Sequence, residues 1–436
     1  MNVREIAVRL LIEYEETGKY VNLSLFSHLT DALTKEERAF LTALLYTAVE
    51  RKITYDYYIG ALSGRGENDI TPRVRAILRL GICQIVDMEK IPDFAAVNES
   101  VKLAKNRGER AFINGVLRAV CRCKENLPMP NKEKNISRFF SVKYSFPQRT
   151  VKHFISLYGR DMAERLLARF NETPPTDLTV NILKISRDDF LKRLLKDGYC
   201  AAASEYSHIT VRVYGSLDPR SIYGYEEGLF FVQDTASAVC SLALGACEGE
   251  HIIDVCSAPG GKSFAAAILM KDVGRVTSFD LHESKLSLIE SGKARLGLTS
   301  VTVGSCDGKA GREELISTLD RVICDVPCSG LGVLGKKPDL RYKPFEKLSE
   351  LPKLQYEILC TSSKYLKVGG YIMYSTCTLN KSENEDVVLR FLDENPEFSA
   401  VDFEVGTLKS VSGMLTLIPK IHNTDGFFMA KLRKNS

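Results

Sequence analysis

From Gln233 to the C-terminus, short apolar runs alternate with segments of helical periodicity, and this alternation constrains the fold more than any other feature of the chain. Such a pattern reads as strand–helix–strand units, with parallel strands in one sheet covered on both faces. Strands are predicted near 251–255, 275–279, 300–303, 320–324 and 370–375, with a last β segment near 426–431. The carboxyl ends of parallel strands form one edge of a sheet, and ligands bind there.

Three successive strand ends carry polar groups suited to a nucleoside. His251–Lys262, HIIDVCSAPGGK, is a strand, a turn and a helix start. Gly260 and Gly261 let the backbone approach a ligand, and the first N–H groups of the helix favour a carboxylate or phosphate. Gly261, Lys262 and Ser263 imitate the end of a phosphate-binding loop, but the preceding glycine spacing is absent, so an ATPase is not expected. The next strand ends at Asp280, where a carboxylate can accept both ribose hydroxyls of an adenosine. The third ends at Ser305, Cys306 and Asp307, where an acid can accept from an adenine amino group. Singly, each aspartate reads as a helix cap; together they outline one site.

Two cysteines sit at further strand ends, Cys328 in Asp325–Gly330 (DVPCSG) and Cys377 in Ser375–Thr378 (STCT). A thiol so placed can be a nucleophile or a small packed residue. Spacing does not decide which of the two attacks.

With 436 residues the chain is too long for one core, so several domains are expected. Residues 1–125 read as an all-α bundle, with a Thr34/Glu37 capping box and Thr71–Pro72 as helix starts. Residues 126–134, NLPMPNKEK, read as a linker, 135–232 as a small α+β module, and 233–436 as an α/β domain. Acidic residues interrupt the apolar pattern of the N-terminus, and no run of about 18 apolar residues occurs, so neither a signal peptide nor a membrane partner is expected. A cytosolic protein follows, in which twelve cysteines are thiols rather than a disulfide scaffold. Cys121 and Cys123 lack a second matching pair, so no metal is expected.

The net charge of +4 says little, but residues 102–124 carry seven Lys/Arg against Glu109 alone, and 132–172 carry nine against four acids. Such clusters suit a polyanion. Leu331–Lys343, LGVLGKKPDLRYK, adds four basic residues and is expected to contact RNA.

The motifs DVCSAPGGK (254–262), DVPCSG (325–330), STCT (375–378) and DGFFMA (425–430) occur in the order found in RNA cytosine-C5 methyltransferases that use S-adenosylmethionine, and the chain resembles that family. NESVKLA (98–104) and FINGVLRAV (112–120) resemble the antitermination factor NusB, and this pairing resembles the Sun (RsmB, Fmu) enzymes of 16S ribosomal RNA. The resemblance implies a NusB-like bundle and a Rossmann-like catalytic domain. It also implies a monomer acting on 16S rRNA outside the fully assembled subunit, without metal. By resemblance Cys377 is the nucleophile, Cys328 serves product release, and Asp325 lies near the target ring, although DNA cytosine-C5 methyltransferases attack with the cysteine of their Pro-Cys motif. Cofactor contacts are expected from Cys256, Ser257, Ala258, Pro259, Gly260, Gly261, Lys262, Asp280, Asp307 and Asp325, with Lys285 as a weaker candidate. Ser257 replaces the first alanine of the commoner loop, keeping a small side chain. The alternatives are the same chemistry on transfer RNA or another ribosomal site, or a non-catalytic RNA-binding assembly factor.

Overall fold

The structure, a computed structural model, describes residues 2–18, 33–215, 218–343 and 348–436. The chain forms two compact units, Met1–Asn171 with Lys337–Lys343, and Glu172–Lys336 with Pro344–Ser436.

The first unit is helical, with helices Val3–Thr17, Lys35–Glu50, Lys52–Ser63, Pro72–Val86, Asp93–Lys102, Arg107–Arg122, Ile136–Tyr144 and Gln148–Arg169. The expected starts hold: Thr34 and Glu37 exchange both capping-box bonds, and Thr71 caps the helix whose first residue is Pro72. Apolar residues at helical spacing, among them Ile6, Leu10, Leu41, Leu44, Ile77 and Leu117, form one buried core. Arg79, only 1% exposed, is held in it by the Asp56 carboxylate at 2.6 and 2.7 Å and by Glu15 at 2.5 Å. On the amphipathic helix Arg107–Arg122, Ile113, Val116, Leu117 and Val120 face the core, while Arg107, Arg110, Arg118 and Arg122 fall three or four residues apart around Asn114 and are exposed.

The α+β module was expected to begin at 135, whereas this compact unit runs on to Asn171. The two helices after the linker pack here: Thr54 Oγ1 donates to Val142 O at 2.6 Å, and Ile53 N to Ser145 Oγ at 3.1 Å. Part of the predicted RNA-contacting loop is likewise enclosed in this unit. Arg341, 1% exposed, donates to Glu50 Oε1 (3.1 Å) and Phe170 O (2.9 Å) and stacks on Phe146 at 4.1 Å. A guanidinium committed in this way does not reach for phosphate, so Arg341 is not among the RNA contacts expected of this loop.

In the second unit, β1 (Thr176–Val180), β2 (Ala201–Ala203), β3 (Thr210–Val213) and β4 (Phe230–Val232) form an antiparallel sheet in the order β2-β3-β1-β4. It packs on the helix Arg187–Lys196 through Leu178, Val180, Phe190, Leu194, Val211 and Phe230. The strand predicted over 178–183 stops early because Asn181 turns away, its amide donating to Gly228 O and Leu296 O.

The larger sheet contains β5 (His251–Asp254), β6 (Arg275–Asp280), β7 (Val301–Ser305), β8 (Leu319–Asp325) and β9 (Leu366–Thr376), all parallel. β10 (Phe398–Ala400), β13 (Met414–Leu417) and β14 (Phe427–Lys434) extend it antiparallel, β14 pairing with β9, and β11 (Glu404–Val405) and β12 (Leu408–Lys409) form a separate hairpin. The order is β10-β14-β9-β8-β5-β6-β7, with β13 on β14. The sheet is therefore mixed rather than parallel throughout, since the segment joining β13 to β14 is too short for a crossover helix. Helices Thr235–Leu244, Gly261–Leu269 and Glu283–Leu296 contribute to one core of the sheet, and Leu351–Ser363 and Glu385–Glu394 to another. No helix among the described residues is long and apolar enough to cross a membrane.

Arg79→Met leaves the Asp56 and Glu15 carboxylates without their shared cation in the helical core. It should lower the stability of this unit by about 3–5 kcal/mol, measured as a fall in the urea midpoint of its unfolding transition.

Candidate active site

The loop after β5 is fixed by backbone bonds to its neighbours: Val255 N donates to Ile323 O (3.1 Å), Ser257 N to Phe279 O (2.7 Å) and Gly260 N to Ser257 O (2.6 Å). The Ala258–Pro259 bond is cis. Gly260 has φ +108°, and a Cβ there would lie 2.4 Å from the Phe264 ring, so only glycine fits. The helix that starts at Gly261 has no side-chain cap, leaving its first N–H groups to the loop.

Asp280, 6% exposed at the end of β6, accepts from Ala258 N (3.2 Å) and His282 N (3.0 Å), so it braces the loop from the neighbouring strand. Lys285 Nζ stands 3.8 Å from the same carboxylate. Asp307 lies beyond the end of β7 but is exposed and accepts from Lys309 N at 2.9 Å, which is the turn-capping role an isolated aspartate takes. Cys256 is half-buried against the core beneath the sheet.

Three buried polar atoms around this loop have no partner among the described residues: Asp254 Oδ1, Ser257 Oγ and Gln233 Oε1. Gln233 lies beside Gly261, 3.4 Å from where a Cβ would stand. Asp254 takes one bond, from Ser263 Oγ at 2.7 Å, and burial pushes its pKa from 3.8 up to about 7. Unsatisfied buried acceptors are costly unless a ligand donates to them. A molecule with an ammonium group and hydroxyls has the donors this set lacks. Sequence reasoning passed over Gln233 and Asp254; the only signal for Asp254 was its place at the head of the loop motif.

β8 and β9 pair in parallel with Asp325 opposite Ser375. Asp325 Oδ1 accepts from Ser375 Oγ (2.7 Å) and Oδ2 from Lys262 Nζ (2.6 Å), so one carboxylate ties both strand ends to the loop. Lys262 is 8% exposed. Burial opposes its charge, but the Asp325 carboxylate outweighs that and raises its pKa. Two and three residues beyond this pairing, the Sγ atoms of Cys377 and Cys328 meet at 3.1 Å. The bond to the Cys377 sulfur, with burial, holds the Cys328 thiol well above its ordinary pKa.

The strand ends are locked further out. Ser329 Oγ and Thr378 Oγ1 are 2.7 Å apart, and Gly332 N donates to Cys377 O at 3.0 Å. Gly426, of the DGFFMA motif, donates to Gly332 O at 2.9 Å, and a Cβ on Gly332 would lie 1.9 Å from Gly426 O. Lys336 bonds Asp234 (2.5 Å) and Asp425 (2.9 Å). A second basic residue of the predicted RNA-contacting loop is thus an internal clamp, and its two partners lie far away in sequence, where no local pattern announces them.

The family model described as 16S rRNA methyltransferase RsmB/F matches residues 241–433, the NusB family model matches 1–122, and a ferredoxin-like domain of RsmF/B-like methyltransferases matches 146–218. A Bacillus subtilis protein named probable ribosomal RNA small subunit methyltransferase B is 34% identical, over 99% of each chain. Among solved structures, PH0851 superposes over 100% of this chain and 99% of its own with a TM-score of 0.81 and 24% identity. A methyltransferase homologue from Pyrococcus horikoshii covers 68% of this chain and 97% of its own, with a TM-score of 0.60 and 26% identity.

Asp254 stays protonated in the folded protein up to about pH 7 but ionises near 3.8 when unfolded, so between these values the native state holds the extra proton. The contribution of this residue to stability therefore falls as pH rises from about 4 to about 7. Urea-unfolding midpoints taken across that range should decline less steeply in Asp254→Asn than in the parent.

Proposed function

The chain belongs to the 16S rRNA methyltransferase RsmB/F family, and on that premise we propose that it methylates carbon 5 of a cytosine in 16S rRNA through a covalent bond between Cys377 and carbon 6. The observation that carries this reading is the 3.1 Å approach of two thiols at adjacent strand ends, beside a loop with unmet buried acceptors.

Carbon 5 of cytosine is a poor nucleophile. Addition of the Cys377 thiolate to carbon 6 forms an S–C bond and turns the ring into an enamine whose carbon 5 can attack an electrophilic methyl group. Bound S-adenosylmethionine supplies that methyl on its sulfonium. Asp254, Ser257, Gln233 and Asp280 would hold the cofactor, together with the N–H groups at Gly261. Lys262 keeps the Asp325 carboxylate oriented toward the strand ends, where it can accept from the N3/N4 edge of the ring. After transfer, the carbon-5 proton leaves, the double bond re-forms and the S–C6 bond breaks, returning the thiolate.

Cys328 serves that last phase. Its high pKa has the Cys377 sulfur as leading cause. Once Cys377 is a thioether, Cys328 is the thiol left 3.1 Å from that sulfur, and as a thiolate it takes the proton from carbon 5. The cytosine reaches the pair only when unpaired or flipped from its stack.

The proposed division of labour follows the sequence domains. Residues 1–125 hold RNA through the exposed arginine stripe of Arg107, Arg110, Arg118 and Arg122, 172–232 connect, and 233–436 carry the chemistry.

Cys377→Ala should abolish turnover and any RNA adduct. Cys328→Ala should accumulate a protein–RNA adduct that survives denaturing electrophoresis. An adduct that builds up in Cys377→Ala and vanishes in Cys328→Ala would reverse the roles. For the cofactor, Asp280→Ala should weaken S-adenosylmethionine binding by about 1.5–3 kcal/mol, the cost of losing hydrogen bonds to a charged group. Titration calorimetry on the folded variant gives the value, and unchanged affinity would remove Asp280 from the site.

A further inference from the structure

Beyond the two thiol strands lies a fully buried carboxylate that the proposed chemistry does not use. Glu383 is 0% exposed, in a short turn after β9. Its Oε2 accepts from Ser329 N at 2.8 Å, the amide that follows Cys328, and from Gln355 Nε2 at 3.0 Å. Its Oε1 accepts from Asn380 Nδ2 at 2.9 Å, three residues after Cys377. Gln355 reaches the same loop from the other side, donating also to Pro327 O at 3.0 Å. The Pro-Cys loop is therefore held at Pro327 and at Ser329, on both sides of Cys328, and the Thr-Cys loop at Asn380, all through one carboxylate and one amide.

The two loops differ in what else supports them. Cys377 follows directly on β9, which is paired on both sides up to Ser375 and Thr376. Cys328 lies three residues past the end of β8, after Pro327, which has no N–H to donate. Loss of the carboxylate should thus move Cys328 more than Cys377.

We propose that Glu383 is a positioning residue that sets the place of the Cys328 thiol against Cys377, so that it governs release of the methylated base rather than attack on it. The inference rests on the reading of Cys377 as nucleophile and Cys328 as the release thiol. Its chemistry follows from acceptor count: two carboxylate oxygens receive three donors from three segments, and no neutral side chain of that size offers as much. An amide at this position keeps one acceptor and turns an N–H₂ group toward a donor.

The test uses the full-length protein, 16S rRNA made by transcription and S-adenosylmethionine labelled in its methyl group. Glu383→Gln should lower turnover by about 10²-fold, the cost of a misplaced reacting group, while a protein–RNA adduct accumulates although both cysteines are present. It should phenocopy Cys328→Ala, with cofactor affinity unchanged. Gln355→Met, which removes both Gln355 bonds but keeps the carboxylate, should shift the balance toward adduct to a smaller extent, and it carries the test should Glu383→Gln not fold. Glu383→Asp should recover part of the turnover. Turnover that falls without adduct in Glu383→Gln and Gln355→Met, or that does not fall, overturns the proposal. Absence of adduct in Cys328→Ala itself would instead sink the underlying assignment of release to Cys328.

Discussion

The parallel pairing of β8 with β9, Asp325 opposite Ser375, is the constraint on which the rest of the site depends. A parallel pair sends both chains out at one edge, and since side chains alternate along a strand, a slip of one residue would turn them to the opposite face. Register is secured because β8 is buried between β5 and β9 and because Ser375 bonds Asp325 across the pair. With that pairing fixed, short continuations bring two cysteines 49 residues apart in sequence to 3.1 Å. The same carboxylate receives Lys262, so the loop after β5 is aligned with the thiols by an interaction that belongs to both.

Regular backbone pairing ends where the site begins, and the bonds it would have supplied are replaced by buried and half-buried polar side chains. Lys262 with Asp325, Lys336 with Asp234 and Asp425, and Glu383 with its three donors each join segments distant in sequence. Buried charges gain little net stability, because desolvation offsets most of their attraction. Their value here is geometric. Each offers several directional bonds to loops that have few backbone partners, and a loop so tied has few alternative positions.

How much of this was legible in the sequence depends on the range of the interaction involved. Strand ends, the glycine-bearing loop and both cysteines are local patterns, and β5 to β9 lie close to where the apolar runs predict them. Asp280 and Lys262 stand out in the sequence because they sit inside or one strand away from the loop. Asp307 stands out by the same logic, at an exposed position where it also caps its own turn. Lys336 and Arg341 were expected to contact RNA because a basic residue beside glycine and proline has no local mark of an internal partner; only the fold brings Asp234, Asp425 and Glu50 to them. Glu383 stands among polar residues in KSENE, where no local pattern announces its burial. The antiparallel β14 was predicted as a strand but not for its direction, which is set by the short connection from β13. Ala201–Ala203 carries no strand signal at all, since alanine lacks the branched side chain that favours a pleated surface.

The two thiols form a unit rather than two independent groups. At this distance the two sulfurs share a hydrogen bond, so the protonation of one depends on the other. That bond is the leading cause of the raised pKa of Cys328. Under the proposed chemistry this coupling also orders the steps. Before Cys377 bonds to carbon 6, Cys328 is kept protonated and does not compete for that carbon. When Cys377 becomes a thioether, its part of that restraint is removed, after the first bond has formed. An arrangement of this kind requires the sulfurs to stay in contact through the cycle, which places the demand for precision on the loops rather than on the strands. That is the region where the buried side chains of Glu383 and Gln355 and the half-buried Lys336 are found.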